Sequence, residues 1–314
     1  MTVVYLHLNL IEISRPNLSL IKEALKFAIS LHAEKFIVGI QCEEIKSQSH
    51  CLDAIWEKLQ TLLGHVNVTQ AKEAYKANEP LFDFNVVFED VCGYLIHLEP
   101  SVTHICFPKN DSVKVDQWNK ERTKTGLNEL NKQLLEFIDA PIQLSSPIQK
   151  TEPRVFERVA VGGTFDHLHA GHKILLTMTA LLSEKSMVVG VTDDCMLTKK
   201  KHKDLIGSTA DRIKKIEAYL HSVKRSIQYN VVPITDPFGP TVTDSTIDAL
   251  VVSKETLKGG DLVNSERGIR GYPALELRII DVISTDSHSI KEQDMAVLKI
   301  SSSWIREYLA SKTQ

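Results

Sequence analysis

The chain has 314 residues, 43% of them hydrophobic and 25% charged, with a formal net charge of -3. That length allows about two domains with ample material for cores, and the charge excludes a general nucleic-acid binder, which needs a basic face. The five cysteines, Cys42, Cys51, Cys92, Cys106 and Cys195, are scattered without a C-x-x-C pair, which fits a reducing, cytoplasmic setting and excludes a disulfide framework or a zinc ribbon.

Met1 to Ser14 has no basic leader, and His7, Asn9 and Glu12 interrupt its apolar residues, so it reads as a strand and not a secretion signal. No apolar run approaches the roughly 18 residues of a membrane span. Val3 to Leu8, Phe36 to Ile40, Phe84 to Phe88 and Thr103 to Phe107 are short β-branched or aromatic runs that predict strands. Helical spacing predicts helices over Leu20–Leu31, over Ser49–Leu63, and over Gly126–Ile138 with Leu127, Leu130, Leu134 and Phe137 along one stripe. Strands alternating with helices predict an α/β domain over residues 1–145. Its histidines, His32, His50, His65, His97 and His104, are isolated from one another, and the pattern G-x-x-x-x-G-K-[ST] is absent from the chain. A structural, regulatory or partner-binding role is expected for this half. Ala140 to Pro153, with three prolines and no periodic pattern, reads as the connector.

From residue 154 to 314 the pattern changes to a β-α-β-α-β order. Arg158–Val161 predicts a strand, Lys173–Leu182 a helix, Met187–Val191 a buried strand and Thr192–Gly207 a polar loop with three lysines. Ser208 caps a helix over Thr209–Ser222, with Asp211 three residues on. Strands over Ile227–Ile234, Ala249–Val252 and Leu275–Ile283 and a helix over Ser301–Leu309 complete it. This order predicts a doubly wound parallel sheet with its site at the carboxyl ends of the strands.

At the first such end stands Val159-Ala160-Val161-Gly162-Gly163-Thr164-Phe165-Asp166-His167-Leu168-His169-Ala170-Gly171-His172. Two glycines remove side chains where the backbone bends or a ligand comes close. The following helix start offers N–H groups and a positive dipole end to a phosphate. His169 and His172, three apart around a glycine, can face one bound anion. A plain glycine turn with exposed histidines is the bland alternative, and the flanking strand and helix weigh against it.

Gly-Gly-Thr-Phe-Asp followed by His-x-Gly-His resembles the signature of the nucleotidylyltransferases. Together with Asp236-Pro237-Phe238-Gly239-Pro240, Val251 to Thr256 and Ile300-Ser301-Ser302-Ser303, it is similar to the phosphopantetheine adenylyltransferases of the eukaryotic and archaeal kind. The resemblance covers the second half only. It implies a Rossmann-like fold there, preceded by a second α/β domain, and transfer of AMP from ATP to 4'-phosphopantetheine in coenzyme A synthesis. It implies that Thr164 orients the attacking phosphate and that His172 and a lysine of Lys199–Lys201 stabilise the transition state, Lys200 by centrality. His169, Gly163, Phe165, Ser301, Ser302, Ser303 and Arg306 are then expected around ATP, which Mg²⁺ accompanies, with Lys199, Lys200 and Lys254 toward the second substrate. The bacterial enzymes carry substrate-binding arginines after the fourth strand that this chain lacks, and Lys254 and Arg267 are the candidate replacements. Ending at Gln314 without a P-loop, the chain is expected to be the stand-alone enzyme, not the form fused to a kinase. Assembly with other enzymes of the pathway and a homo-oligomer are compatible with it. A cytidylyltransferase acting on a phosphorylated alcohol shares the His-x-Gly-His element, but its Arg-Thr-x-Gly lead is missing before Ile300. A non-catalytic scaffold is the third reading, against which the intact histidines, serines and lysines speak.

Overall fold

Two runs of alternating strands and helices each bury a central, all-parallel sheet. The computed structural model describes residues 2–15, 18–136, 142–143, 152–281 and 301–312. The chain divides into two compact units, Met1–His50 with Ile55–Lys150, and Cys51–Ala54 with Thr151–Gln314.

The first unit runs β1 (Val3–Leu10), β2 (Ser14–Arg15), α1 (Leu18–Ser30), β3 (Lys35–Cys42), α2 (Glu43–Ser47), α3 (Trp56–Lys76), β4 (Phe84–Phe88), β5 (Val102–Pro108), α4 (Ser112–Lys124), β6 (Asn131–Leu135) and β7 (Ile142–Gln143). Its five-stranded sheet has the order β4-β3-β1-β5-β6, and every pair in it is parallel. β2 and β7 form a separate antiparallel pair; β7 falls in the stretch read as connector, of which residues 140–141 and 144–151 lie outside the described residues.

Two helix expectations are corrected here. The run from Ser49 is a short 3₁₀ turn over Leu52–Ile55 followed by α3, which continues to Lys76. Within the expected helix over Gly126–Ile138 the structure has strand β6 at Asn131–Leu135, with Phe137 and Ile138 outside the described residues, and the helix lies upstream as α4. Leu130 and Leu135 are buried while Leu134 is 48% exposed, an alternation that belongs to a strand edge. α4 lacks a full apolar stripe because half of what it buries is polar: Val115 and Trp118 go inward with Asn119 and Arg122. The Arg122 guanidinium donates to the carbonyls of Asn128, His97, Glu99 and Val102. Gly126 ends α4 with φ of 78°.

The second unit runs β8 (Phe156–Gly163), α5 (Ala170–Leu182), β9 (Ser183–Thr192), α6 (Thr209–Val223), β10 (Gln228–Ile234), β11 (Ala249–Ser253), α7 (Leu257–Ile269), β12 (Glu276–Ile280) and α8 (Ser302–Lys312). Its sheet has the order β10-β9-β8-β11-β12, again parallel throughout, as expected of a doubly wound sheet. Leu176 and Ala180 of α5 and Ile216, Tyr219 and Leu220 of α6 pack on Val161, Met187 and Val189. Val263 of α7, with Val242 and Ile247, packs on Ala160, Val188, Leu250 and Val252. These strand residues alternate, so helices cover both faces of the sheet. Ser208 caps α6 by accepting from the Asp211 N–H at 3.2 Å, as expected. The strand order reverses between β8 and β11, which opens a crevice at their carboxyl ends. Among the described residues no helix is long and apolar enough to cross a membrane.

The Cβ added by Gly126→Ala would meet nothing within 4 Å, yet an L-residue is strained at that φ. The substitution is expected to cost about 1 kcal/mol, read as a lower midpoint in urea unfolding.

Candidate active site

Gly162 and Gly163 close β8 at the crevice, and neither has a positive φ. The bend is made by Phe165, whose φ of 47° lies in the left-handed region unfavourable for a residue with a side chain. Its ring is 2% exposed and belongs to the core, so of the residues expected around ATP, Phe165 offers its backbone alone. A Cβ on Gly163 would stand 3.1 Å from that ring, whereas a Cβ on Gly162 would meet nothing closer than 3.9 Å. Gly162 is therefore a matter of open space, not of bending. The space is a cavity of about 260 Å³ lined by Gly162, Gly163, Gly190, Thr192, Asp236 and Gly260 among others, with an apolar floor from β8, β9 and β11.

The loop beyond Gly163 is held from beneath by a buried arginine that the sequence did not announce. Arg212 of α6 donates from Nη1 to the carbonyls of Thr164 (2.7 Å) and Thr192 (2.8 Å), tying the ends of β8 and β9 together. Its other nitrogens go to the Gly207 carbonyl and to Asp194 and Thr209. With the Thr164 backbone so fixed, its hydroxyl accepts from Lys200 Nζ at 3.1 Å. Partial loss of hydration, then the charge of Arg306, lowers the Lys200 pKa. The three lysines part company here: Lys201 pairs with Glu307 of α8 at 2.8 Å in solvent, and Lys199 is exposed.

His169 is the N-cap of α5 and its Nδ1 accepts from the Gly171 N–H at 3.2 Å, which places the ring proton on Nε2. His172 Nδ1 lies 3.1 Å from the His167 carbonyl and carries the proton that it donates there, which leaves a lone pair on Nε2. The two rings stack with centroids 4.0 Å apart. Burial pushes the His172 pKa down to about 4. Burial, and then His172, hold His169 well below the usual histidine value. Two neutral imidazoles of opposite tautomer therefore stand side by side at the start of α5.

Arg306, expected at the triphosphate, is instead 3% exposed and turned inward. It forms a buried ion pair with Asp166, donates from Nε to the Lys201 carbonyl at 3.0 Å, and donates from Nη2 to Ser303 Oγ at 3.1 Å. One guanidinium thus gathers the His-motif loop, the lysine loop and the first turn of α8. Ser301 caps α8, its Oγ accepting from the Trp304 N–H at 3.3 Å, and Ser302 and Ser303 open the helix. Ile300 lies outside the described residues. Arg267 is fully buried and donates to the carbonyls of Pro273, Thr241 and Asp244, which corrects its assignment as a replacement for a substrate-binding arginine. Lys254 stands after β11, half exposed, with Nζ 3.4 Å from Asp281. Arg306→Met leaves the Asp166 carboxylate buried without its partner and is expected to cost about 3 kcal/mol. The double variant Asp166→Leu, Arg306→Met is expected to recover most of that in urea unfolding.

Residues 160–308 match the cytidylyltransferase-like family. An uncharacterized protein of Schizosaccharomyces pombe is 47% identical over 151 residues, 48% of each chain. The phosphopantetheine adenylyltransferase of Saccharomyces cerevisiae is 35% identical over 156 residues, 50% of each. The chain therefore spans about half the length of these two relatives. The shorter phosphopantetheine adenylyltransferase of Methanothermobacter thermautotrophicus is 37% identical over 133 residues, which are 42% of this chain and 78% of that protein. Through its second half, the chain belongs to the phosphopantetheine adenylyltransferase family of cytidylyltransferase-like proteins.

Proposed function

We propose that the second unit, as a cytoplasmic adenylyltransferase domain, transfers AMP from ATP to 4'-phosphopantetheine, giving dephospho-coenzyme A and pyrophosphate. The observation that supports the reading is a set of links: Lys200 bonds Thr164, the His169 and His172 rings stack, and Arg306 ties the Asp166 loop to the Lys201 carbonyl and to Ser303 of α8. The names of the archaeal and yeast relatives support the choice of substrates.

In the reaction an oxygen of the phosphopantetheine phosphate attacks the α-phosphorus. The new O–P bond forms as the bond to the β-phosphate oxygen breaks, and pyrophosphate leaves. The attacking phosphate is already ionised near neutral pH, so no side chain has to remove a proton. What the protein supplies is position and charge stabilisation. Thr164, accepting from Lys200, keeps its own hydroxyl proton for the incoming phosphate, and Lys200 brings an ammonium to the same oxygens. His169 donates from Nε2 while neutral. His172 donates from Nε2 once the triphosphate has raised its pKa and it has taken a second proton. The N–H groups of Ser302 and Ser303 at the start of α8, with the hydroxyls of Ser301 and Ser302, receive the outer phosphates at the positive end of the helix. The apolar cavity takes uncharged parts of the substrates. Mg²⁺ accompanies the triphosphate as part of the substrate, the MgATP chelate.

Pyrophosphate release measured with ATP or CTP, and with phosphopantetheine or choline phosphate, tests the assignment. Turnover with ATP and phosphopantetheine alone is expected; turnover with CTP and choline phosphate overturns it. Lys200→Ala is expected to lower kcat about 10²- to 10³-fold, while Lys201→Ala stays within about twofold because its ammonium serves an exposed ion pair. The histidines make a second prediction. By NMR, His172 is expected to titrate near pH 4 without ligand and at higher pH with MgATP bound. Since its folded pKa lies below the unfolded value, His172 lends its stability above about pH 6.5. That contribution falls away as pH drops toward 4, so His172→Asn is expected to flatten the acid side of the stability curve.

A further inference from the structure

The two units share more than a fold class. Numbered along each unit, the strands of both sheets stand in the order 3-2-1-4-5, and in both a 13-residue helix follows strand four after one 3₁₀ turn. Those helices, α4 and α7, repeat a polar device. Asn119 exchanges two hydrogen bonds with the backbone of Leu130, 11 residues on, and Asn264 does the same with Leu275, also 11 on. Three residues later Arg122 and Arg267 each donate from Nε to a carbonyl 6 residues on. From Nη1 they reach carbonyls 25 and 23 residues back in one unit and 26 and 23 in the other. Gly126 and Gly271 then end the helices with φ of 78° and 76°.

The strand registers extend the match. Val4 lies opposite Phe36 and His104, as Val159 lies opposite Met187 and Ala249. Gly39 lies between His7 and Val87, as Gly190 lies between Gly162 and Val232. Counting from these anchors, the second unit's cavity residues Ala160, Gly162, Thr192, Ile234, Gly259 and Val263 fall on Tyr5, His7, Gln41, Glu89, Lys114 and Trp118. These six touch one another. The Tyr5 hydroxyl donates to Glu89 at 2.5 Å, His7 Nδ1 bonds Glu89 at 2.8 Å, and Lys114 Nζ bonds His7 Nε2 at 2.8 Å and Gln41 at 2.6 Å. Trp118 packs edge-on to His7 with Lys114 over its ring. Tyr5 and His7 are completely buried.

We infer that the first unit is a second copy of the nucleotidylyltransferase fold whose ligand cavity is filled by its own side chains, so that the chain carries one nucleotide site and not two. Ala160, Gly162, Gly259 and Val263 of one copy stand where the other has Tyr5, His7, Lys114 and Trp118, and where Ile234 is apolar the other has the Glu89 carboxylate that binds them together. Strand one of the first copy is also followed by no His-x-Gly-His element.

The test counts nucleotides on the full chain by equilibrium binding of MgATP and maps the label left by a photoreactive azido-ATP. One nucleotide per chain is expected, with label confined to peptides after residue 151. In Lys114→Met, which keeps the stem over Trp118 and removes the ammonium, binding and turnover are expected to match the parent within about twofold while the denaturation midpoint falls. A second bound nucleotide, or label within residues 2–136, overturns the inference. So does a Lys114→Met protein that unfolds like the parent, since the cluster would then not be a core. Were no nucleotide bound anywhere, the proposed activity of the second unit would fail while the closed first copy stood.

Discussion

The carboxylate of Asp166 and the guanidinium of Arg306 are both out of water, at 1% and 4% exposure, and neither can be there without the other. Such a pair adds little net stability, because the loss of hydration offsets most of the attraction. Its value is in what it fixes. Asp166 lies between the threonine and the histidines of one loop, and Arg306 lies one turn into α8. Holding them together settles where the serines of α8 stand relative to His169 and His172. The Lys201 carbonyl on Arg306 Nε brings the lysine loop into the same arrangement. A catalytic group must be held to a fraction of an ångström, and here three loops are indexed to one ion pair.

Arg212 does the complementary work from below. By taking the carbonyls of Thr164 and Thr192 it satisfies two strand ends that bend away from the sheet. The Thr164 hydroxyl is then set toward Lys200, and the loop needs no glycine at its bend because Phe165 is anchored by its own ring in the core. The strain of the Phe165 backbone is offset by that burial.

Much of this was legible in the residues, and the reason is periodicity. The apolar runs of β8 and β9, the amphipathic stripe of α6 and the Ser208 cap each express a local rule, as does the glycine-histidine loop between a strand and a helix. What escaped was burial by polar groups. α4 and α7 go inward through Asn119, Arg122, Asn264 and Arg267, whose side chains end on backbone carbonyls far along the chain, and no hydrophobic period marks them. The internal bonds of Arg306 escaped for the same reason: an arginine near a phosphate motif reads as a cation for the anion until its internal carboxylate is seen. The lysine cluster was legible as a cluster and Lys200 was singled out by its central place alone; its bond to the Thr164 hydroxyl is a contact that no sequence pattern announces.

The two sheets show how small the step is between a site and a core. Both put a crevice at the reversal point between the first and fourth strands, because the topology requires it. In one copy glycine and alanine leave that crevice open. In the other, tyrosine, histidine, lysine and tryptophan occupy it, and the Glu89 carboxylate that burial would penalise is held ionised by His7, Tyr5 and Lys114. The unchanged asparagine–arginine frame behind both crevices carries the fold either way. Side chains lining the crevice, not the architecture, decide whether the space belongs to a substrate or to the chain.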